Sequence, residues 1–336
     1  MAETRVHHIN VELPQCGNVT IPYWEVESGQ EGPCFLLTAA QHGNEVQGPE
    51  VIRRFIAIAG QHLKRGTILA VPFCNLPAVQ RRRHHITSGP ETAYRDDGGQ
   101  NMNRTWPGKP DGNDTERLSH AIYHAVVTRA THLLDIHSWE RFGATACLPR
   151  KDRPRSMELG RISAMPFAAP QPGRGGTETE PKIPCTINAY FNDSGRAGLT
   201  IELSGQYVVL EKEVRRGLRA ALNIARFLEM LPGTPEGLDE PTVWLDRATV
   251  VEVRAPASGL FVEAGLETCD WVEAGQPLGH LLSDVDLSVT PILAPVSGRL
   301  RGYGCHRMHA DVALPAMHPY ASEGDSLAVI AAPAGE

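Results

Sequence analysis

The feature of this sequence that most constrains its fold is an alternation of short apolar runs with longer amphipathic segments. The apolar runs, which predict buried strands, are residues 34–40, 67–73, 132–137, 145–149 and 198–203. The amphipathic segments, which predict helices, are residues 46–63, 114–130 (opened by a capping box of Asn113 and Glu116) and 208–230. Because strands that alternate with helices favour layered folds, we predict an α/β fold with a mixed, largely parallel sheet flanked by helices.

The last part of the chain has a different character. A turn-rich segment leads into short strand-like runs broken by Gly and Pro, with no helical pattern. We predict two domains, 1–232 and 242–336, joined by a linker at 233–241. The run APASGLF at 255–261 returns 39 positions later as APVSGRL, and this echo resembles the two halves of a biotinyl/lipoyl-type β-sandwich. No lysine follows Lys212, so the cofactor-carrying role of such modules is excluded.

The composition argues against several classes of protein. The 336 residues carry a formal net charge of −7, which argues against nucleic-acid binding. Seven cysteines form no CxxC pair, which is typical of reduced thiols. No window approaches the about 18 to 20 apolar residues of a membrane span, and no signal peptide is evident. We expect a cytoplasmic homo-oligomer that binds a small molecule and neither nucleic acid nor membrane.

Three residues are candidate metal ligands. His42 and Glu45 are three positions apart directly after the first predicted strand, and His137 ends another apolar run. Zinc hydrolases commonly use three such protein ligands and leave one position for water. Loops at the ends of neighbouring strands can aim these side chains at one point. The H-x-x-E pair by itself is more typical of a solvated loop. A metal site and a solvated loop are therefore the two interpretations of these residues.

Two further features suggest substrate binding and catalysis. The Gly-rich loop at 96–108 places Asn103 beside Arg104, and a guanidinium next to an amide suits capture of a carboxylate. An ordinary turn is the alternative. Glu202 lies inside an apolar strand, where a charge is costly to bury unless it faces a cleft or a partner. The alternative is an alternating strand with Glu202 on its solvent-exposed face.

Two neighbouring features are ambiguous. Asp135 lies two residues before His137 and would point to the same side of a strand. It would therefore either support His137 or face solvent. The segment RRRHH at 81–85 is interpreted as a solvated basic loop that borders the substrate entrance, in preference to an anion-binding site.

The motifs together resemble those of a known family. In order they are H-x-x-E at 42–45, N-M-N-R-T-W-P-G at 101–108, D-I-H-S at 135–138 and T-I-E at 200–202. This set is similar to that of the succinylglutamate desuccinylase/aspartoacylase family, a branch of the zinc carboxypeptidase-like fold. The resemblance covers roughly residues 30–230, and a β-rich C-terminal domain is also typical of the group.

The resemblance implies a metal site and a base. It implies that His42, Glu45 and His137 bind one Zn²⁺ per subunit, and that Glu202 is the general base. Zinc would lower the pKa of water and polarise an amide carbonyl. Glu202 would take a proton from that water and pass it to the departing amine.

The resemblance also implies how substrate is held. Asn103 and Arg104 match the family pair that binds a substrate carboxylate. Arg95 is the best match to an arginine that polarises the scissile carbonyl, although its spacing from Arg104 need not follow the family. The acid that commonly heads the Asn-Arg motif is replaced here by Asn101.

The expected activity is zinc-dependent removal of an acyl group from a small N-acyl amino acid. We favour deacetylation of the N-acetyl-diaminobutyrate type. The alternatives are hydrolysis of N-succinylglutamate or N-acylaspartate, carboxypeptidase action, and a non-enzymatic ligand-binding role. Some relatives contact substrate with a tyrosine of the C-terminal domain, for which Tyr303 and Tyr320 are the candidates.

Overall fold

One mixed sheet of nine strands organises most of the chain in the computed structural model, which describes residues 2–87, 100–173, 183–246, 250–307 and 317–332. The strands are β1 (Glu3–Leu13), β2 (Gly17–Glu27), β3 (Cys34–Ala39), β4 (Thr67–Val71), β5 (His132–Trp139), β6 (Ala146–Leu148), β7 (Phe167–Ala168), β8 (Ala197–Ser204) and β9 (Val243–Trp244). Their order is β1-β2-β4-β3-β5-β8-β6-β7-β9. The four central strands, β4-β3-β5-β8, are parallel, so their carboxyl ends meet along one edge of the sheet.

Helices cover both faces of this sheet. They are α1 (Gly48–His62), α2 (Leu76–Arg81), α3 (Asp114–Ile122), α4 (Pro154–Ile162), α5 (Ile187–Asp193) and α6 (Glu211–Phe227), with a 3₁₀ turn at Met102–Arg104 and a π-helical turn at Tyr123–Val127. Leu37 packs with α1 and α6, and the adjacent Leu36 packs with α3 and α5 on the opposite face. Burial on both faces explains why the central strands have continuous apolar sequences. None of the helices formed by the described residues is long and apolar enough to cross a membrane.

The predicted core elements are confirmed, and two regions were missed. The capping box of Asn113 and Glu116 is present, with side-chain to backbone bonds of 3.0 Å in both directions. The β1–β2 hairpin was not predicted from the sequence. No helix or strand was predicted between residues 150 and 197, where the structure has α4, β7 and α5. β1 buries only Ile9 and Leu13, so its apolar periodicity is weak. Helix α5 is buried but half of its buried residues are polar (Asn188, Asn192 and Asp193), and β7 is only two residues long, so neither leaves a clear apolar pattern.

The β-rich part of the chain forms two antiparallel sheets of four strands. Its strands are β10 (Val250–Arg254), β11 (Gly259–Glu263), β12 (Trp271–Val272), β13 (Pro277–Leu282), β14 (Val289–Leu293), β15 (Gly298–His306), β16 (Tyr320–Ala321) and β17 (Ser326–Ala331). The sheet orders are β10-β17-β15-β12 and β14-β13-β11-β16. Phe261 of one sheet and Leu300 of the other belong to a single buried cluster. The two echoed sequences lead into β11 and β15, one in each sheet.

Strand β15 also joins the β-rich part to the large sheet. Gly302 forms a β-bridge with Gly143, in the segment that connects β5 to β6. Ala144 donates its backbone N–H to the carbonyl of Arg301 at 2.9 Å, and Tyr303 donates to the carbonyl of Phe142 at 3.0 Å. A Cβ atom at Gly302 would lie 2.6 Å from the Phe142 ring, so only glycine fits there. This junction places β15 beside the carboxyl end of β5.

Candidate metal centre and active site

The candidate site lies at the carboxyl edge of the parallel strands. The chain leaves β3 through Ala40, whose φ of 51° starts a tight loop that carries His42 and Glu45. Gly43 allows this loop to approach α2 closely, because a Cβ atom there would lie 2.3 Å from the carbonyl oxygen of Ala78. His137 comes from β5, the strand next to β3. Three side chains that are distant in sequence therefore meet at one end of the sheet.

The three predicted ligands converge in the structure. Glu45 Oε1 lies 2.7 Å from His42 Nδ1, and Glu45 Oε2 lies 2.7 Å from His137 Nδ1. One ligand atom from each residue lies within 4.8 Å of the others, and all three side chains are buried. Two imidazole nitrogens and a carboxylate oxygen suit a divalent transition metal such as Zn²⁺. The donor set therefore fits a metal ion.

The electrostatics of this group also suit a cation. Burial alone would raise the pKa of Glu45, but His42 and His137 hold it below its usual range, so Glu45 stays ionised. Burial would lower the pKa of His137, yet Asp135 and Glu45 hold it well above the ordinary value. Two buried carboxylates thus surround His137, and their negative potential favours a positive charge at this point.

Hydrogen bonds orient both histidines. Asp135 is fully buried and its Oδ2 accepts from His137 Nε2 at 2.9 Å, while its Oδ1 accepts from Thr38 Oγ1 at 2.7 Å. His42 Nε2 donates to Asn101 Oδ1 at 2.9 Å. With the Nε2 atoms bonded to Asn101 and Asp135, the Nδ1 atom of each ring faces Glu45 and is the atom that would bind a metal ion. Asp135 therefore supports His137, and the solvent-facing alternative is wrong.

We expect Asp135→Asn to weaken metal binding about 10- to 100-fold, because an amide holds the His137 ring less firmly and supplies no negative charge. The measurement is the metal dissociation constant from competition with a chelator. Asp193→Asn is the matched control, since Asp193 is also a buried carboxylate but pairs with Arg150 and Arg153 away from this site. Equal metal affinity in the Asp135 variant and the native chain would contradict this role.

The Asn-Arg pair lies beside the ligand group. Both residues belong to the 3₁₀ turn, and Asn103 Nδ2 lies 3.3 Å from His137 Nε2. The Oδ1 atom of Asn103 is buried and has no hydrogen-bond partner among the described residues. Arg104 is exposed and donates from Nη1 to the Asn103 carbonyl at 2.8 Å. The pair therefore borders the site as the sequence predicted.

Glu202 is the register partner of His137 across β5 and β8. Register partners in neighbouring strands point to the same face, so its carboxylate shares the face of His137. It is half-buried and has no hydrogen-bond or ion-pair partner among the described residues. Burial raises the pKa of Glu202 to about 8. A carboxylate that titrates near neutral pH is suited to exchange protons with a substrate or water.

Three other sequence candidates have different outcomes. Arg95 lies in the segment 88–99, outside the described residues. Tyr303 is buried within the β-rich part, where its hydroxyl donates to the Leu278 carbonyl at 2.8 Å. Tyr320 donates to Asp284 at 2.8 Å on the outside of that part. Neither tyrosine hydroxyl contacts the ligand group.

Two groups near the site differ from the expectation from sequence. The RRRHH segment is not wholly solvated: the His84 ring stacks on His42 with centroids 4.1 Å apart, and His85 is buried. Burial lowers the pKa of His84 to about 2, so it is neutral. The second group is Arg301 of β15, which lies over Trp139. Adjacent histidines were a usable signal, whereas nothing in the local sequence distinguishes Arg301.

Comparisons with known proteins agree with this geometry. Residues 31–228 match the succinylglutamate desuccinylase/aspartoacylase catalytic domain, and this span is more than half of the 336 residues. The chain therefore belongs to this family of hydrolases, and it is an enzyme of the deacylase type.

Individual relatives refine this placement. The N-alpha-acetyl-L-2,4-diaminobutyric acid deacetylase of Halomonas elongata is 26% identical over 284 residues, which are 82% of this chain and 78% of that protein. The product-bound ectoine utilization protein EutE (DoeB) from Ruegeria pomeroyi superposes with a TM-score of 0.69 at 20% identity, covering 98% of this chain and 95% of that one. A metallo-carboxypeptidase from Burkholderia cenocepacia gives a TM-score of 0.51 at 16% identity, over 67% and 65% of the two chains. Both structures share the fold of this chain.

Proposed function

We propose that this protein is a zinc-dependent amidohydrolase that removes the acyl group from a small N-acyl amino acid. His42, Glu45 and His137 would hold one Zn²⁺ per subunit. The observation that carries the proposal is the convergence of these three ligands beside Glu202, a carboxylate that no other described residue engages. A structural metal site would need no such neighbouring base.

The roles of the side chains follow from their chemistry. A bound divalent ion supplies Lewis-acid chemistry, which polarises a carbonyl and acidifies water. The Glu202 carboxylate accepts a proton from the attacking water and then donates it to the leaving nitrogen. Asn103 and Arg104 bind a carboxylate of the substrate. Arg95, in the segment outside the described residues, is proposed to stabilise the developing charge on the carbonyl oxygen.

For the substrate, we favour deacetylation of the N-acetyl-diaminobutyrate type. Support comes from the Halomonas elongata relative named for that activity and from the shared fold of an ectoine utilization protein. Hydrolysis of N-succinylglutamate or N-acylaspartate is the second candidate, because the family name includes both types of enzyme. Carboxypeptidase action is the third, on the fold likeness to a metallo-carboxypeptidase.

A substrate panel tests this proposal directly. The purified protein, with its metal content measured, would be assayed on N-α-acetyl-diaminobutyrate, N-succinylglutamate, N-acetylaspartate and a short peptide. We expect turnover of an N-acyl amino acid, loss of that turnover on chelation, and its recovery on adding Zn²⁺. Turnover that survives complete removal of metal, or no turnover of any N-acyl amino acid by the metal-loaded protein, would refute the proposed function.

Three further proposals concern the domain limits, the oligomeric state and the location of the protein. The domain limits 1–232 and 242–336 and the biotinyl/lipoyl-like character of the second domain are supported by its two antiparallel sheets around one core. We also propose that the protein forms a homo-oligomer, and its molar mass in solution would be measured by light scattering. A cytoplasmic location is supported by the cysteines, all of which are free thiols.

A further inference from the structure

Arg301 is held in place by its backbone and by one aromatic ring. Its carbonyl accepts from Ala144 N–H at 2.9 Å, and the next residue, Gly302, bridges to Gly143. The guanidinium carbon lies 4.1 Å from the centroid of Trp139. A cation over an indole face is attracted by the ring quadrupole. The β-rich part therefore presents a fixed guanidinium at the end of β5.

This guanidinium has no anionic partner in the described parts of the chain. Among the described residues, none forms an ion pair or a hydrogen bond with the side chain of Arg301, although its five N–H donors fit a carboxylate. Burial lowers the pKa of Arg301 to about 10, so it is still charged at neutral pH. The half-buried Arg153, by contrast, contacts the carboxylates of Asp152 and Asp193. A half-buried cation without an anion is costly unless a ligand supplies one.

The position of Arg301 connects it to the candidate site. Trp139 is two residues after His137, so both side chains lie on the same face of β5. Glu202 and Arg301 are close enough for each charge to shift the pKa of the other, yet they form no ion pair. Arg301 and Trp139 also line a cleft of about 1090 Å³ whose lining includes Gln206 but neither Glu202 nor the three candidate ligands. Gln206 links this cleft to the site, because it donates to the carbonyl of Ser138, the residue after His137, at 2.9 Å. Space for a ligand therefore lies beside the guanidinium.

We propose that Arg301 is a specificity-determining residue that binds a carboxylate of the substrate, with Trp139 as the platform that fixes its plane. This inference rests on the proposed function and deepens it. Two sources of the carboxylate share this chemistry: the α-carboxylate of the amino acid, and the distal carboxylate of a dicarboxylic acyl group. In either case the β-rich part contributes a substrate-binding residue to the site.

The test compares Arg301→Met and Arg301→Lys with the native chain on matched substrates. Methionine keeps an apolar stem on Trp139, and lysine keeps the charge but loses the bidentate geometry. One substrate pair is an N-acetyl amino acid and its C-terminal amide. The second pair is an N-succinyl and an N-acetyl form of one amino acid. Arg254→Met is the matched control, because Arg254 is exposed in the same sheet and pairs with Glu252.

If Arg301 binds a carboxylate, Arg301→Met will lower kcat/KM about 10- to 100-fold, mainly through KM, for the substrates that carry it. The partial rescue by lysine should be confined to the same substrates. An effect that vanishes with the C-terminal amide identifies the α-carboxylate as the source. An effect confined to the succinyl form identifies the acyl carboxylate.

An equal loss of kcat/KM on every substrate, with or without the carboxylate, would overturn the proposal and leave Arg301 a structural role. No change on any substrate would overturn it as well. Failure of the native chain to hydrolyse any of these compounds would instead refute the proposed function. The two failures are therefore distinguishable in one set of assays.

Discussion

Replacing His137 by Ala should remove bound metal and catalytic activity together. This substitution deletes one of three ligands and leaves the carboxylates of Glu45 and Asp135 buried without the ring that separates them. Two ligands would hold a divalent ion weakly, and the Lewis-acid contribution of several kcal/mol would be lost, which corresponds to about a thousandfold or more in rate. The measurements are metal content after gel filtration and kcat/KM on the best substrate of the panel.

His132→Ala is the matched control for this experiment. His132 lies on the same strand, five residues earlier, and its Nδ1 atom lies 2.9 Å from Thr131 Oγ1. This variant should keep its metal and its activity. A His137→Ala protein that folds, binds stoichiometric metal and turns over substrate at the native rate would remove His137 from the metal centre.

Replacing Glu202 by Gln should separate chemistry from metal binding. The amide has nearly the same shape as the carboxylate but cannot accept and return a proton. Because Glu202 forms no hydrogen bond or ion pair in the described chain and is not one of the converging ligands, the variant should fold normally and keep its metal. We expect kcat to fall by about 10²- to 10⁴-fold, the usual contribution of a general base, with a smaller change in KM.

Two outcomes would contradict the assignment of Glu202 as the general base. Loss of metal from Glu202→Gln would make the residue a ligand, and unchanged kcat would take it out of proton transfer altogether. Glu267→Gln serves as the control, since Glu267 is an exposed carboxylate that pairs with Lys212. Its kcat should equal that of the native chain.

The central sheet was predictable from sequence for a physical reason. Strands buried on both faces must be apolar along their whole length, so each leaves a continuous apolar run. In a parallel sheet the residues that follow such runs share one edge, which is why His42, Glu45 and His137 could be grouped from sequence alone. Glu202 was detectable because it interrupts such a run.

The features that were not predicted leave no continuous apolar run in the sequence. Arg301 is brought to the end of β5 by a backbone bridge between Gly143 and Gly302, and no local sequence pattern predicts contacts between residues so distant in sequence. The half-exposed hairpin β1–β2 leaves little apolar periodicity. His84 lies in a basic segment whose composition suggested exposure to solvent, although its carbonyl accepts from Gly43 N–H at 3.1 Å and its ring stacks on His42.

The glycine at 302 has a consequence for how this enzyme can change over evolutionary time. A Cβ atom at position 302 would clash with the Phe142 ring, so we expect substitutions of this glycine to be disfavoured. Its neighbour Arg301 packs on Trp139 but also lines a cleft, so a change of side chain there has space that position 302 lacks. Substrate preference can therefore vary at one residue while the adjacent one keeps the cleft in register. The recognition residue proposed at 301 can therefore change without disturbing the catalytic end of the sheet, because the glycine beside it keeps the backbone junction in place.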